Sequence, residues 1–118
     1  LIQDTTEIDF SGRQPIEGMG PLRTRHQQGF YLHPIIALTP SKTCLGIING
    51  YMWCRDKLVG RKTKNKKPLA EKESQRWLDG YEIADRIANE STSTKIISIA
   101  DREADIYELL MQQTTIPR

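Results

Sequence analysis

A hairpin pattern in the middle of the chain is the feature that most constrains the fold. Residues 31–39 are mostly apolar, and in residues 44–53 apolar side chains alternate with other types. Four residues with turn-forming character, Pro40 to Thr43, separate the two runs. The alternating face of the second run carries Leu45, Ile47, Tyr51 and Trp53. Two strand patterns joined by so short a turn predict an antiparallel hairpin.

The segment before the hairpin predicts one more strand and a long loop. Residues 1–10 repeat at period two, which is typical of a strand. The face defined by that period carries Ile2, Asp4, Thr6, Ile8 and Phe10. Residues 11–29 contain six glycines or prolines, and residues 55–70 are rich in basic side chains. Both segments therefore predict long loops.

The segment after the basic loop predicts two helices and a strand. Helical spacing runs from Glu71 to Asn89, although Gly80 in its interior costs about 1 kcal/mol relative to Ala. Residues 95–100 are apolar on both faces, as expected of an interior strand covered on each side. A further helix is expected from about residue 102 to residue 113.

The order of these elements predicts an α/β fold with a mixed sheet. Three antiparallel strands come first, and a helical crossover then returns the chain to a strand parallel to the first, followed by a second helix. A length of 118 residues suits one domain with one core. The first residue is Leu1, already within a strand pattern, so we expect residues 1–118 to be a piece of a longer protein.

The composition indicates a soluble chain in a reducing compartment. No apolar run approaches the roughly 20 residues that a membrane span requires, and no leader pattern is present. Cys44 and Cys54 are ten positions apart in one predicted strand, or about 33 Å at roughly 3.3 Å per residue, too far for a disulfide. Free thiols favour a cytoplasmic location without membrane attachment.

Positive charge is concentrated in one segment. Residues 55–68 contain seven basic residues and one acid, a net charge of +6, which leaves −4 for the remainder of a chain whose total is +2. A solvated loop is one interpretation of such a run. The other is an arm that binds phosphates, because local positive charge supplies most of the sequence-independent affinity for nucleic acid.

Two aspartates occur at informative positions. Asp4 lies on an otherwise apolar or β-branched strand face, where it must be exposed, protonated, paired or bound to a cation. Asp101 lies where a strand ends and a helix begins, a position that also suits a helix N-cap. In the predicted topology the two strands are neighbours, and their carboxylates would repel each other unless a divalent cation lay between them.

The chemistry implied by such a pair is phosphoryl transfer on nucleic acid. Ligation by oxygen alone suits Mg²⁺ or Mn²⁺. A pair of carboxylates beside basic loops is therefore consistent with metal-assisted in-line displacement at a phosphodiester.

Several segments resemble the catalytic core of bacterial cut-and-paste DDE transposases of insertion sequence family four. In order along the chain these are QDTTEIDFSG, GFYLHPIIALTP, LGIINGYMWCR, EKESQRWLDGY and IADREADIYELL. The resemblance implies a ribonuclease-H-like fold that stops before its fifth strand. It also implies that Asp4 and Asp101 are catalytic metal ligands, and that the parent protein cleaves transposon ends and transfers them to target DNA.

The resemblance also implies a third carboxylate that this sequence does not contain. In the family it is a Glu in a Tyr-Arg-Glu-Lys signature on a later helix. On this expectation residues 1–118 alone are inactive, while the full-length protein forms a synaptic homodimer on bacterial nucleoid DNA. The alternatives are a DNA-binding fragment without catalysis and another ribonuclease-H-like nuclease, such as a junction resolvase. The candidate DNA contacts are Arg23, Arg25, Arg61, Lys62, Lys64, Lys66, Lys67, Lys72 and Arg102.

Other polar and aromatic residues have structural explanations that compete with functional ones. On a helix, Asp105 and Glu108 would share a face with Asp101. They are either accessory metal ligands or part of the solvated surface. His33 is expected to be a structural histidine whose hydrogen bonds are satisfied. Trp53 and Trp77 are expected to be core aromatics rather than platforms for stacking bases.

Overall fold

The computed structural model describes residues 1–12, 14–56 and 74–113, with side chains given up to Met111. Its strands are β1 Ile2–Gln3, β2 Thr6–Asp9, β3 Gly20–Pro21, β4 Gln28–Leu38 and β5 Cys44–Trp53. Its helices are α1 Gln75–Glu90 and α2 Tyr107–Gln113, preceded by a 3-10 turn at Arg102–Ala104.

The long strand β4 is the centre of a five-stranded antiparallel sheet. It pairs with β1 and β2 along one edge and with β5 along the other, as shown by Leu32, which lies opposite both Thr6 and Met52. The short β3 pairs with the beginning of β4. The pairing of β4 with β5 confirms the predicted hairpin, although bulges shift its register between Ile35 and Ile36 and again between Ala37 and Leu38.

The prediction of a ribonuclease-H-like mixed sheet is wrong. All strand pairings in the sheet are antiparallel, and the segment 95–100 forms only an isolated parallel bridge between Ile99 and Ile2. That segment was expected to be an interior strand covered on both faces, yet Ile97 is 58% exposed and Ile99 is 52% exposed. The apolar composition of the segment does not make it interior, because Ile97 and Ile99 remain more than half exposed and only Ile96 is half-buried.

The first predicted strand is interrupted at Asp4 and Thr5. The pairs Gln3 with Ile35 and Thr6 with Leu32 lie on either side of the interruption. Pro34 lies within the facing stretch of β4, and proline has no N–H to donate to a neighbouring strand. The interruption therefore removes residues 4 and 5 from the ladder and leaves them as a short connection at the sheet edge.

One face of β4 forms the main covered surface of the sheet. Its alternate residues are buried: Gly29, Tyr31, His33, Ile35 and Ala37. Helix α1 contributes Trp77 and Leu78, which also pack with Ala104 and Leu109. Gly80 of α1 lies so close to the Gln3 side chain that a Cβ atom there would be 2.0 Å from Gln3 Oε1. The helix thus approaches the sheet through a glycine.

The two helices differ from their predicted bounds. Helix α1 begins at Gln75 after Ser74, and the predicted start at Glu71 lies outside the described residues. The predicted helix over 102–113 is instead a 3-10 turn followed by α2, with Asp105 in a non-helical conformation between them. The predicted loop over 11–29 contains β3 and the beginning of β4, and most of the loop over 55–70 lies outside the described residues.

The structure also bears on the cysteines and on membrane-spanning helices. Cys44 and Cys54 are both free and exposed. In the described ranges, no helix has the length and apolar character needed to cross a bilayer.

Candidate functional site

Backbone hydrogen bonds bring the two candidate catalytic aspartates to the same end of neighbouring segments. Gln3 N donates to Ile99 O at 3.0 Å, and Ile99 N donates to Leu1 O at 2.8 Å. This parallel pairing places Ile2 opposite Ile99. Asp4 and Asp101 each follow that pair by two residues, and both are exposed. The parallel strand expected to align these two segments is therefore present only as the single bridge between Ile2 and Ile99.

Asp101 caps the turn that follows it. Its backbone is extended, and its Oδ1 accepts a hydrogen bond from Glu103 N at 2.8 Å. This confirms that Asp101 is an N-cap, in this case of the 3-10 turn. The hydrogen bond involves Oδ1 and not Oδ2, and each carboxylate oxygen has further lone pairs. Capping is therefore compatible with binding a cation.

Asp4 lies in the connection between β1 and β2. Its Oδ1 accepts a hydrogen bond from Thr5 N at 2.7 Å. Because residues 4 and 5 are outside the strand ladder, the carboxylate sits at the sheet edge and faces solvent rather than a covered apolar face. The sequence allowed Asp4 to be exposed, protonated, paired or bound to a cation, and in the structure it is exposed.

A buried polar group lies directly behind this connection. Within β4, His33 is fully buried, and its ring contacts Trp77 edge-on with centroids 4.5 Å apart. Its Nε2 hydrogen-bonds to Gln3 Oε1 at 3.2 Å, and Gln3 is also buried. Burial, assisted by the positive charge of Arg76, lowers the pKa of His33 to about 4. The expectation of a structural histidine with satisfied hydrogen bonds is confirmed.

The remaining carboxylates do not add a third ligand to the pair. Among the described residues, no three His, Cys, Asp or Glu side chains are grouped closely enough to hold a metal ion. Asp105 is exposed and Glu108 is half-buried on α2. The accessory role considered for these two side chains thus has no support in this part of the chain.

An open cleft lies beside Asp101. Its volume is about 600 Å³, and it is bounded by the segment 95–101, the side of α1 at Tyr81 and the beginning of α2. Asp101 and Asp105 are on its wall together with Lys95. The cleft thus gives solvent and solutes direct access to one of the two aspartates.

The basic residues proposed to contact DNA have different surroundings. Arg23 is exposed and its Nε lies 3.0 Å from Glu7 Oε1, so an anion there would compete with an internal carboxylate. Arg25 is exposed in the same loop, and Arg102 is exposed in the 3-10 turn directly after Asp101. The others lie outside the described residues: Arg61, Lys62, Lys64, Lys66, Lys67 and Lys72.

Aromatic residues near the site pack within the protein. Trp77 is 1% exposed, which confirms it as a core residue. Trp53 is half-buried and stacks on Tyr31 with ring centroids 5.2 Å apart. The Arg76 guanidinium lies 4.5 Å from the centroid of the Trp53 ring. Trp53 thus packs against neighbours within the chain, but it is half-buried and does not belong to the buried core.

Comparisons with known proteins add no relative. No protein-family model, curated protein or solved structure matches this chain.

Sequence reasoning found the two aspartates but missed the residues that support them. The period-two pattern singled out the face that carries Ile2 and Asp4, whereas Gln3 on the other face is buried and Ile2 is 36% exposed. The available signal was Pro34 in the facing strand, which interrupts the ladder opposite residues 4 and 5.

Proposed function

We propose that this chain is part of the catalytic core of a DNA transposase that cuts and joins strands with Mg²⁺ or Mn²⁺. The observation that supports the proposal most strongly is the pairing of residues 1–3 with residues 97–99, which brings Asp4 and Asp101 to one edge. Both aspartates lie in segments that resemble the transposase family. The sheet differs from the one that this resemblance implies, so the support comes from these residues and from the pairing of their segments.

The donor atoms at this edge fit a hard divalent cation. Two carboxylates supply oxygen ligands, and the exposed setting leaves room for water at the other positions. When bound, such an ion would stabilise the negative charge that develops on phosphate oxygens during displacement. Asp4 and Asp101 would hold it, while exposed basic residues such as Arg25 and Arg102 would position DNA through its phosphates.

The reaction consists of two displacements at phosphorus. In the first, a water oxygen bonds to phosphorus as the P–O3′ bond breaks, and the products are a 3′-hydroxyl and a 5′-phosphate. In the second, that 3′-hydroxyl loses its proton to solvent, bonds to a target phosphorus and displaces the target's 3′-oxygen. The partners are therefore transposon-end and target DNA, bound by a synaptic homodimer of the full-length protein.

The test uses the protein encoded by the complete reading frame, with Mg²⁺ and duplexes that carry the element's ends. D4N and D101N should abolish strand cleavage and leave duplex binding intact. D105N removes the same charge four residues beyond Asp101 and should cleave normally. Cleavage by D4N or D101N at the wild-type rate would contradict the proposal. Duplex binding without metal-dependent cleavage by the wild type would favour the non-catalytic alternative.

A further inference from the structure

A chain of hydrogen bonds connects helix α1 to the segment that carries Asp4. Arg76 Nε lies 3.1 Å from Thr5 Oγ1, and Thr5 Oγ1 lies 2.8 Å from His33 Nδ1. His33 Nε2 in turn lies 3.2 Å from Gln3 Oε1. Thr5 is therefore held from two sides, by α1 and by the central strand β4.

The chemistry of the donor and acceptor groups determines which atom donates in each of these hydrogen bonds. An amide oxygen only accepts hydrogen bonds, so Nε2 of a neutral His33 carries the ring proton and donates a hydrogen bond to Gln3 Oε1. Nδ1 then accepts a hydrogen bond from the Thr5 hydroxyl, whose oxygen accepts one from Arg76. The Thr5 hydroxyl thus uses its donor and one acceptor site, and its rotamer is determined by both neighbours.

Thr5 also makes the hydrogen bond to Asp4. Its backbone N–H donates to Asp4 Oδ1 at 2.7 Å. Residues 4 and 5 lie outside the strand ladder, so the ladder does not fix this connection. The hydroxyl contacts of Thr5 take over that role at the point where the ladder is interrupted.

We propose that Thr5 is a positioning residue for the metal site: its hydroxyl is anchored to α1 and β4, and its N–H orients the Asp4 carboxylate at the edge shared with Asp101. The inference rests on the proposed function, since it assigns Thr5 a role toward the same cation. Residues that hydrogen-bond a metal ligand typically change metal affinity by about 10- to 100-fold when they are replaced. Loss of the Thr5 hydroxyl keeps the N–H that contacts Asp4 but removes its anchors on β4 and α1, so it should weaken affinity through the lost orientation of that N–H.

The first test measures Mn²⁺ affinity of the 118-residue chain from the signal of free Mn²⁺ in electron paramagnetic resonance. T5V removes the hydroxyl and should weaken binding at least about tenfold, whereas T5S keeps it and should bind like the wild type. Q3A is the matched control, because it removes the far end of the same chain of hydrogen bonds and leaves Thr5 and Asp4 in place. It should lose stability but keep its affinity, with circular dichroism confirming that each variant is folded.

A second measurement needs no variant. In ¹H–¹⁵N spectra of the wild type, the Thr5 amide should shift during a Mg²⁺ titration with the same midpoint as the amides next to Asp101.

The outcomes separate this inference from the proposed function. Three results would overturn the positioning role and leave the paired aspartates in place. They are a wild-type Mn²⁺ affinity in T5V, an equal loss of Mn²⁺ affinity in T5V and Q3A, and a Thr5 amide that does not shift with Mg²⁺. A wild-type chain that binds no Mn²⁺, or a D4N variant that binds it equally well, would overturn both.

Discussion

The buried histidine behind the site makes the stability of the fold depend on pH. His33 is fully buried, and its pKa falls from 6.5 to about 4 because the charged ring would lose its hydration beside Arg76. Asp4 opposes this shift with its negative charge but does not cancel it. Between pH 6.5 and pH 4 the unfolded chain therefore binds a proton that the folded chain excludes.

The sign and size of the effect follow from these two values. Stability is at its full value above pH 6.5 and decreases as the pH falls toward 4. With 1.36 kcal/mol per pKa unit, the total loss is about 3 kcal/mol, of which about 2 kcal/mol is reached between pH 7.5 and pH 5. Such a loss is a large fraction of the roughly 5 to 15 kcal/mol that stabilises a small domain.

Urea unfolding at pH 7.5 and pH 5, in EDTA, measures this loss directly. H33Q keeps polar contacts but cannot titrate, so it should lose most of the pH dependence even if it is less stable at both values. H26Q is the matched control, because His26 is the other histidine and is exposed. It should keep the wild-type dependence. Equal free-energy losses in wild type and H33Q would refute the reasoning.

Three further predictions concern the helix contact, the core and the basic segment. Gly80→Ala should destabilise the chain despite the better helix propensity of Ala, because the added Cβ would clash with Gln3. In a Q3A background the same change should become stabilising by up to about 1 kcal/mol. A double-mutant cycle measured by urea unfolding that shows no such reversal would exclude the clash. Trp77→Ala should cost about 3 to 5 kcal/mol in urea unfolding, and a cost below about 1 kcal/mol would contradict its place in the core. Neutralising the lysines within residues 62–67 should weaken duplex binding and reduce its salt dependence, whereas an unchanged salt slope would make the segment a solvated connector.

Local patterns were sufficient to predict the hairpin. Its two runs have the period of a strand and are joined by four turn residues, so everything needed to pair them lies within about twenty positions. Helix α1 was likewise predicted from its own apolar spacing, with Gly80 as the one discordant residue. The structure explains that glycine by the close approach of Gln3, which no local pattern contains.

Features that depend on distant parts of the chain were predicted poorly. The segment 95–100 has the composition of an interior strand, but whether a strand is interior depends on what covers it. In the first strand Gln3 is buried and Ile2 is 36% exposed, because α1 packs against Gln3, and a period-two pattern does not say which face a helix will cover. The continuous helix predicted from residue 102 is interrupted at Asp105, after the 3-10 turn that Asp101 caps.

The candidate site was predictable only in part for the same reason. Asp4 stands out because Asp is unexpected on a strand face, and Asp101 because it lies where a strand pattern passes into a helix pattern. The parallel strand expected to place them side by side is present only as the bridge between Ile2 and Ile99. The support provided by Thr5 and His33 depends on the interruption opposite Pro34, which joins residues about thirty positions apart.

The most direct test of the central claim is paramagnetic broadening by Mn²⁺ in ¹H–¹⁵N spectra of the 118-residue chain. If Asp4 and Asp101 share one cation, amides of residues 3–5 and 100–103 should broaden together at substoichiometric Mn²⁺. Both sets should recover in D4N and in D101N alike, and D105N should broaden as the wild type does. Broadening of only one set, or persistence of both in either single variant, would show that the two aspartates do not form a common site.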